Sequence, residues 1–309
     1  MITQDDISIA LAGSPVRRRR ERRIRRLFLG AAAASVLISV AIVASLFGEA
    51  WTFISNVGFT PLADIGWFPR RGLYDIRTLL VGTLLVAGIA MVVAGPLGMG
   101  TAVYLSEYAS PRTRRWLKPA VEMLAGIPSV VLGYFALTFI SPSLLRPIFG
   151  EGLSGFNMLA AGLGVGILTI PLVASVTEDS LRAVPLALRE AAYGLGATKM
   201  STSIRVVIPA AVSGIVASMI IAFSRAIGET MVVAIAAGAT GGSLFTVDPL
   251  GGGQTMTAAM ASLAIGSDRV RGDDYAFQSL FFLGLVLFLA TLILNVVAER
   301  FVRRVRRQY

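Results

Sequence analysis

Arg225 and Glu229 stand four residues apart in the stretch ASMIIAFSRAIGETMVVAIAAG, which holds no other charge. That spacing puts both side chains on one face of a helix. Placing either group in hydrocarbon costs on the order of 2.5–3.5 kcal/mol. A guanidinium is permanently charged, and its planar fork of donors suits oxyanions such as phosphate. Ser224 and Thr230 add hydroxyls beside the pair, and Ser129 adds another after the Gly126-Ile127-Pro128 break. Two readings stay open on sequence. The pair is a self-neutralising scaffold element, although Arg before Glu is the weaker helical order and apolar residues would hold a scaffold better. Or it lines a wet pathway, where intramembrane ionisable groups usually work. A carboxylate only accepts hydrogen bonds. At neutral pH phosphate still carries a P–OH group and sulfate does not, so Glu229 would admit a protonated oxyanion. Its simpler role is to orient Arg225.

Other chemistry has little material. The 309 residues include no His and no Cys, which removes the usual general base, the commonest metal ligands and any disulfide. Lys118 and Lys199 are the sole lysines. No G-x4-G-K-S/T loop is present to cradle a nucleotide phosphate. Glu122, Glu178 and Asp179 lie near predicted membrane boundaries and would form a carboxylate site only by accident of folding. A nucleic-acid partner is not expected.

The elements that must position Arg225 are membrane spans. Apolar types make up 55% of the chain and charged types 15%, against roughly 25% charged in soluble domains. A helix crosses the bilayer core with about 20 apolar residues. Six runs qualify: Leu27 to Phe47, Leu79 to Leu105, Val121 to Ser141, Asn157 to Thr177, Ala210 to Ala239, and Ala276 to Ala298. They are continuous rather than alternating, so helices and not a barrel are expected. The first run is too long for the apolar core of a cleaved signal and is read as a retained helix. Breaks are expected at Gly95-Pro96, at Gly126 to Pro128, and around Pro171. Such residues serve close helix packing, or they open backbone N–H groups to a passing anion.

The net charge of +10 is concentrated at the ends, with eight Arg in residues 17–26 and five in residues 299–307. Loop 106–120 adds four basic residues and loop 178–209 adds four. The opposite side carries six: Arg70, Arg71, Arg77, Arg146, Arg269 and Arg271. Positive loops stay in the cytoplasm, so an all-α membrane protein with both termini inside is predicted. Its parts are a basic tail over 1–26, a first span over 27–48 and an external loop over 49–78. A core over 79–298 and a basic tail over 299–309 follow. Gly241-Gly242 and Gly251 to Gly253 read as outer turns, and Asp268, Asp273 and Asp274 as a solvated face.

The loop 178–209 reads as a short helical hairpin. Pro185 opens one helix, Gly194 and Gly196 stop it, and Thr198 caps the next. Glu190-Ala191-Ala192, three residues, Gly196, nine residues, then Val206-Val207-Ile208-Pro209 resembles the EAA loop of ABC importer permeases. Val206 and Ile208 depart mildly from the family's Ile and Leu. The stretches 79–109, 117–137, 181–199 and SRAIGETMVV (224–233) resemble the permeases of phosphate-specific transport (Pst) systems. SRAIGETM and GGQTMTAAMA (252–261) are nearer the PstC type than the PstA type.

This resemblance implies a type I ABC importer permease fold in the bacterial plasma membrane, with Arg225 and Glu229 on the path of phosphate. It implies docking of a separate ATPase subunit through Arg189, Glu190, Ala191, Ala192, Gly196, Lys199 and Pro209. The implied partners are a PstA-like permease, a PstB-like ATPase dimer that uses ATP and Mg, and an external PstS-like phosphate-binding protein. No cofactor is expected on this chain. The rivals are a permease for molybdate or sulfate, and a self-sufficient carrier or anion channel.

Overall fold

The computed structural model describes residues 15–63, 65–238, 242–265 and 275–305. The chain forms two compact units, one up to Glu49 and one from Ala50 onward. Arg269, Arg271, Asp268, Asp273, Asp274 and Gly241, the first fourteen residues and the last four lie outside the described residues.

Helix α1 runs from Pro15 to Val57 without interruption. At 1.5 Å per residue its 43 residues are about 65 Å long, twice a bilayer core. The helix thus runs through residues 26 and 48 without a break. Arginine is a good helix former, so the basic run extends the span instead of ending it. Proline at the first helical position loses no bond that a helix would make there. The helix stops at Gly58, whose φ of 74° and N–H to the Ile54 carbonyl make a left-handed cap.

In the second unit, β1 (Gly66–Phe68) pairs antiparallel with β2 (Leu73–Tyr74) and with β3 (Ser243–Leu244). Helix α2 (Ile76–Val103) follows, with the Asp75 carboxylate accepting from the Arg77 N–H at 3.1 Å. It continues to Tyr108 through a π-helical turn. Helix α5 (Met158–Arg182) starts on Asn157, which accepts from the Ala160 N–H at 2.7 Å.

Helices α2 and α5 are each single, in spite of Pro96 and Pro171. Their glycines permit close approach instead. A Cβ at Gly98 would lie 2.6 Å from Val173 Cβ, and one at Gly162 would lie 2.7 Å from Ile89 Cβ. Two of the three expected breaks are thus packing surfaces.

The third break is real. Helix α3 (Pro111–Ala125) ends at Gly126, and α4 (Ser129–Phe135) begins after Pro128, extending helically to Leu145. Proline disfavours helical geometry in the residue before it. The third span consequently begins at Ser129, not Val121, and Glu122 belongs to a separate helix outside it.

The loop 178–209 is a hairpin of α6 (Leu186–Gly194) and α7 (Lys199–Thr202), the latter continuing helically to Ala210. Helix α8 (Val212–Ile227) leaves it at a 70° bend. Five described helices are long and apolar enough to cross a membrane, and six if residues 199–210 and α8, bent by 70°, count as one span.

The predicted helix over 210–239 is two pieces. It ends at Gly228 and resumes as α9 (Met231–Val233), helical to Gly238. After β3 the chain re-enters the bundle and forms α10 (Met256–Ile265), which the hydropathy reading does not resolve because it has ten residues. The last helix is α11 (Gln278–Val305).

Gly251 to Gly253 are not free turns. The Gly251 carbonyl accepts from the Met158 N–H, and the Gly253 N–H donates to the Ala237 carbonyl at 3.1 Å. They lock the re-entrant segment to the start of α5 and the end of α9.

Candidate functional site

Arg225 lies in the last turn of α8, and Glu229 stands two residues before the first residue of α9, next to its cap Thr230. The Arg225 Nη1 donates to Glu229 Oε2 at 2.8 Å. The Glu229 side chain is 5% exposed and that of Arg225 is 48% exposed. The break at Gly228 explains the order of the pair. In an unbroken helix Arg before Glu opposes the backbone dipole. Here the cation sits at a helix C-terminus and the carboxylate at the N-terminus of the next helix, each on its favourable end. The second oxygen of Glu229, Oε1, lies 3.5 Å from the Val232 N–H.

The re-entrant segment clamps this break from behind. Thr257 Oγ1 donates to the Glu229 carbonyl at 2.8 Å, and the Met256 N–H donates to Thr83 Oγ1 at 3.0 Å. A buried carboxylate, a fixed backbone and a half-exposed guanidinium result. Ile221, Arg225 and Gly228 form one exposed stripe on α8 at the spacing of a helix face.

The other predicted pathway residues take distinct places. Ser224 Oγ donates to Asn295 Oδ1 on α11 at 3.1 Å. Thr230 Oγ1 contacts the Gly228 carbonyl at 3.4 Å. Ser129 is half-buried and makes no side-chain hydrogen bond among the described residues. Its helix packs on α9 through Gly133, where a Cβ would lie 3.0 Å from Val232 Cα. Thr257 and Asn295 are absent from the sequence reading. An amide inside LILNVV is the signal that marks Asn295, whereas nothing local marks Thr257.

The hairpin presents a surface of a different kind. Glu190, Ala191, Lys199 and Pro209 are exposed, and Ala192 is half-buried. Gly196 is exposed with φ of 80°, a turn that a side chain would strain. Leu186, Leu195, Met200 and Ile204 form the exposed apolar part, with Leu195 89% exposed. Lys199 Nζ sits 5.2 Å from the Tyr108 ring centroid.

Arg189 differs from its neighbours. Its guanidinium turns inward, bonding the Leu181 and Val184 carbonyls at 2.8 and 2.6 Å and Glu107 Oε1 at 3.0 Å. It anchors the hairpin to the end of α2 and does not face outward. Glu178 is a second tie, pairing with Arg114 at 2.5 Å and Lys118 at 2.9 Å on α3.

Burial pulls the Lys118 pKa down, but the hydrogen bonds and charges of Glu178 and Asp179 outweigh it and raise the net value. The stabilisation from this tie is whole below the ordinary lysine value of 10.5 and is lost as pH rises through the raised one. Glu178 and Asp179 are thus held by cations. Among the described residues no three His, Cys, Asp or Glu side chains gather to hold a metal.

Residues 94–307 match the model of the family described as binding-protein-dependent transport system inner membrane component. The chain is 33% identical to the phosphate transport system permease protein PstC of Mesorhizobium japonicum over 94% of this chain and 95% of that one. It is 34% identical to PstC 1 of Mycobacterium tuberculosis over 83% and 80% of the two chains. The fold is similar to that of a chain in the crystal structure of a bacterial ABC transporter involved in the import of the acidic polysaccharide alginate. That superposition has a TM-score of 0.64 at 16% identity and covers 94% of this chain and 100% of the other. The broken helix at Arg225, the hairpin over 178–209 and these likenesses converge: the chain belongs to the binding-protein-dependent transport system inner membrane components, among the permeases of the PstC type.

Proposed function

We propose that this chain forms half of the transmembrane path of an ATP-driven phosphate importer. The observation that carries the reading is the Arg225 guanidinium, held by a buried carboxylate at a helix break and half-exposed on a stripe of α8. One of its five N–H groups is engaged by Glu229, and the others remain to bind a tetrahedral oxyanion bidentately. Glu229 orients that fork. Its burial supports this role over direct contact with the P–OH group of the substrate. Phosphate is the oxyanion that the PstC relatives transport by name, and it is preferred on that ground over molybdate or sulfate.

The chain itself breaks no bond. With no G-x4-G-K-S/T loop in its sequence, it leaves ATP and Mg to a PstB-like ATPase dimer. The apolar hairpin surface around Leu195 is suited to seat in a groove of that subunit. Arg189 holds the hairpin to the end of α2, and Glu178 holds the end of α5, from which the hairpin springs, to α3, so closure of the ATPase pulls on the spans through fixed ties. A PstA-like permease supplies the second half of the path, and a PstS-like protein delivers phosphate from outside.

The test is phosphate uptake into vesicles holding the complete complex, with and without the ATPase subunit. Uptake should require the ATPase and hydrolysable ATP, and excess sulfate should leave it unchanged. Uptake that persists without the ATPase contradicts the importer reading and indicates a carrier. Competition by sulfate contradicts the choice of phosphate.

A further inference from the structure

Asn295 sits in the charge-free run 275–298, in a span of mean hydropathy 2.7. Its Oδ1 accepts the Ser224 hydroxyl at 3.1 Å. A primary amide has two further N–H donors, and neither has a partner among the described residues. The residue is exposed. Leaving an amide unsatisfied against hydrocarbon is costly, so a span with a free amide turns it toward a wet or occupied space. The position agrees. Ser224 follows Ile221 by three residues and precedes Gly228 by four, so its partner on α11 borders the stripe that carries Arg225.

We infer that Asn295 is a specificity-determining residue of the path, whose amide N–H groups bind the oxygens of the passing oxyanion beside Arg225. With Oδ1 taken up by the Ser224 hydroxyl, the two Nδ2 N–H groups are left for a ligand. Arg225 supplies charge and Asn295 supplies neutral donors, which hold an anion without retaining it. This assignment rests on the pathway reading of Arg225.

Aspartate and alanine at this position separate substrate binding from a plain tie between α8 and α11. Asn295→Asp keeps an acceptor for Ser224 and replaces both donors with an anionic oxygen. Asn295→Ala removes tie and donors together. The measurement is phosphate uptake per assembled complex in vesicles, with assembly quantified by size-exclusion of the solubilised complex. Asn295→Asp should lower uptake about tenfold and Asn295→Ala about threefold, since repulsion is worse than absence. A tie alone predicts the reverse order, and the reverse order or equal uptake overturns the assignment. Arg225→Ala runs in parallel. Loss of uptake there with the reverse order at Asn295 removes only the Asn295 assignment, whereas full uptake by Arg225→Ala removes the pathway reading and this one with it.

Discussion

Arg225→Ala should lower ATP-driven phosphate uptake by about 100-fold, the scale on which a preorganised donor to an anion contributes. The substitution has two consequences that must be separated. It removes the fork that meets the oxyanion, and it leaves the 5%-exposed Glu229 carboxylate without its ion-pair partner. The second consequence reduces assembly, because an uncompensated buried charge is strongly destabilising. The double variant Arg225→Ala with Glu229→Gln resolves them. A neutral glutamine keeps the shape and relieves the unpaired charge, so the complex should assemble in normal amount and still fail to transport. Arg225→Lys keeps charge but not the planar fork, and should retain no more than about a tenth of the uptake. Measured per assembled complex, wild-type transport by the double variant would assign the pair to scaffolding.

Leu195→Glu should uncouple the permease from its ATPase. Leu195 is 89% exposed at the tip of the hairpin, with Leu186, Met200 and Ile204 exposed around it. An apolar anchor at the centre of an interface contributes about 2 kcal/mol or more, and a carboxylate in its place must also be desolvated. Binding of the ATPase subunit to the detergent-solubilised permease should weaken roughly 30-fold or more. The fold should survive, because Leu195 belongs to no buried cluster and Gly196, with its φ of 80°, is untouched. Normal ATPase binding with normal transport would place the docking surface elsewhere.

Much of this architecture is legible in the residues. Long charge-free runs reveal the spans. The hairpin follows from Pro185, Gly196 and Thr198, and the Thr198 hydroxyl does accept the Ser201 N–H at 3.3 Å. Composition could not reveal where a glycine breaks a helix and where it lets two helices touch. Gly95-Pro96 and Pro171 read as breaks, yet α2 and α5 run through them and touch at Gly98 and Gly162, while Gly228 draws no notice and ends a helix. That distinction depends on which side chain stands opposite, a long-range property.

The clamp on Glu229 was hidden for the same reason: Thr257 reaches it across 28 residues. Arg189 shows a further limit. Its place in a docking motif suggests an outward role, but the carbonyls of Leu181 and Val184 at the end of α5 and the carboxylate of Glu107 draw it in.

The account depends on the exposed stripe of α8 facing water and not acyl chains. The chain has no cysteine, so a single Ile221→Cys, one turn before Arg225, can be followed without background. In vesicles holding the complete complex, a membrane-impermeant charged thiol reagent should modify this cysteine. Phosphate with its binding protein and ATP should change the rate. Modification by a lipid-soluble maleimide alone, with no reaction toward the charged reagent in any nucleotide state, would show the stripe facing lipid and contradict the path proposed here.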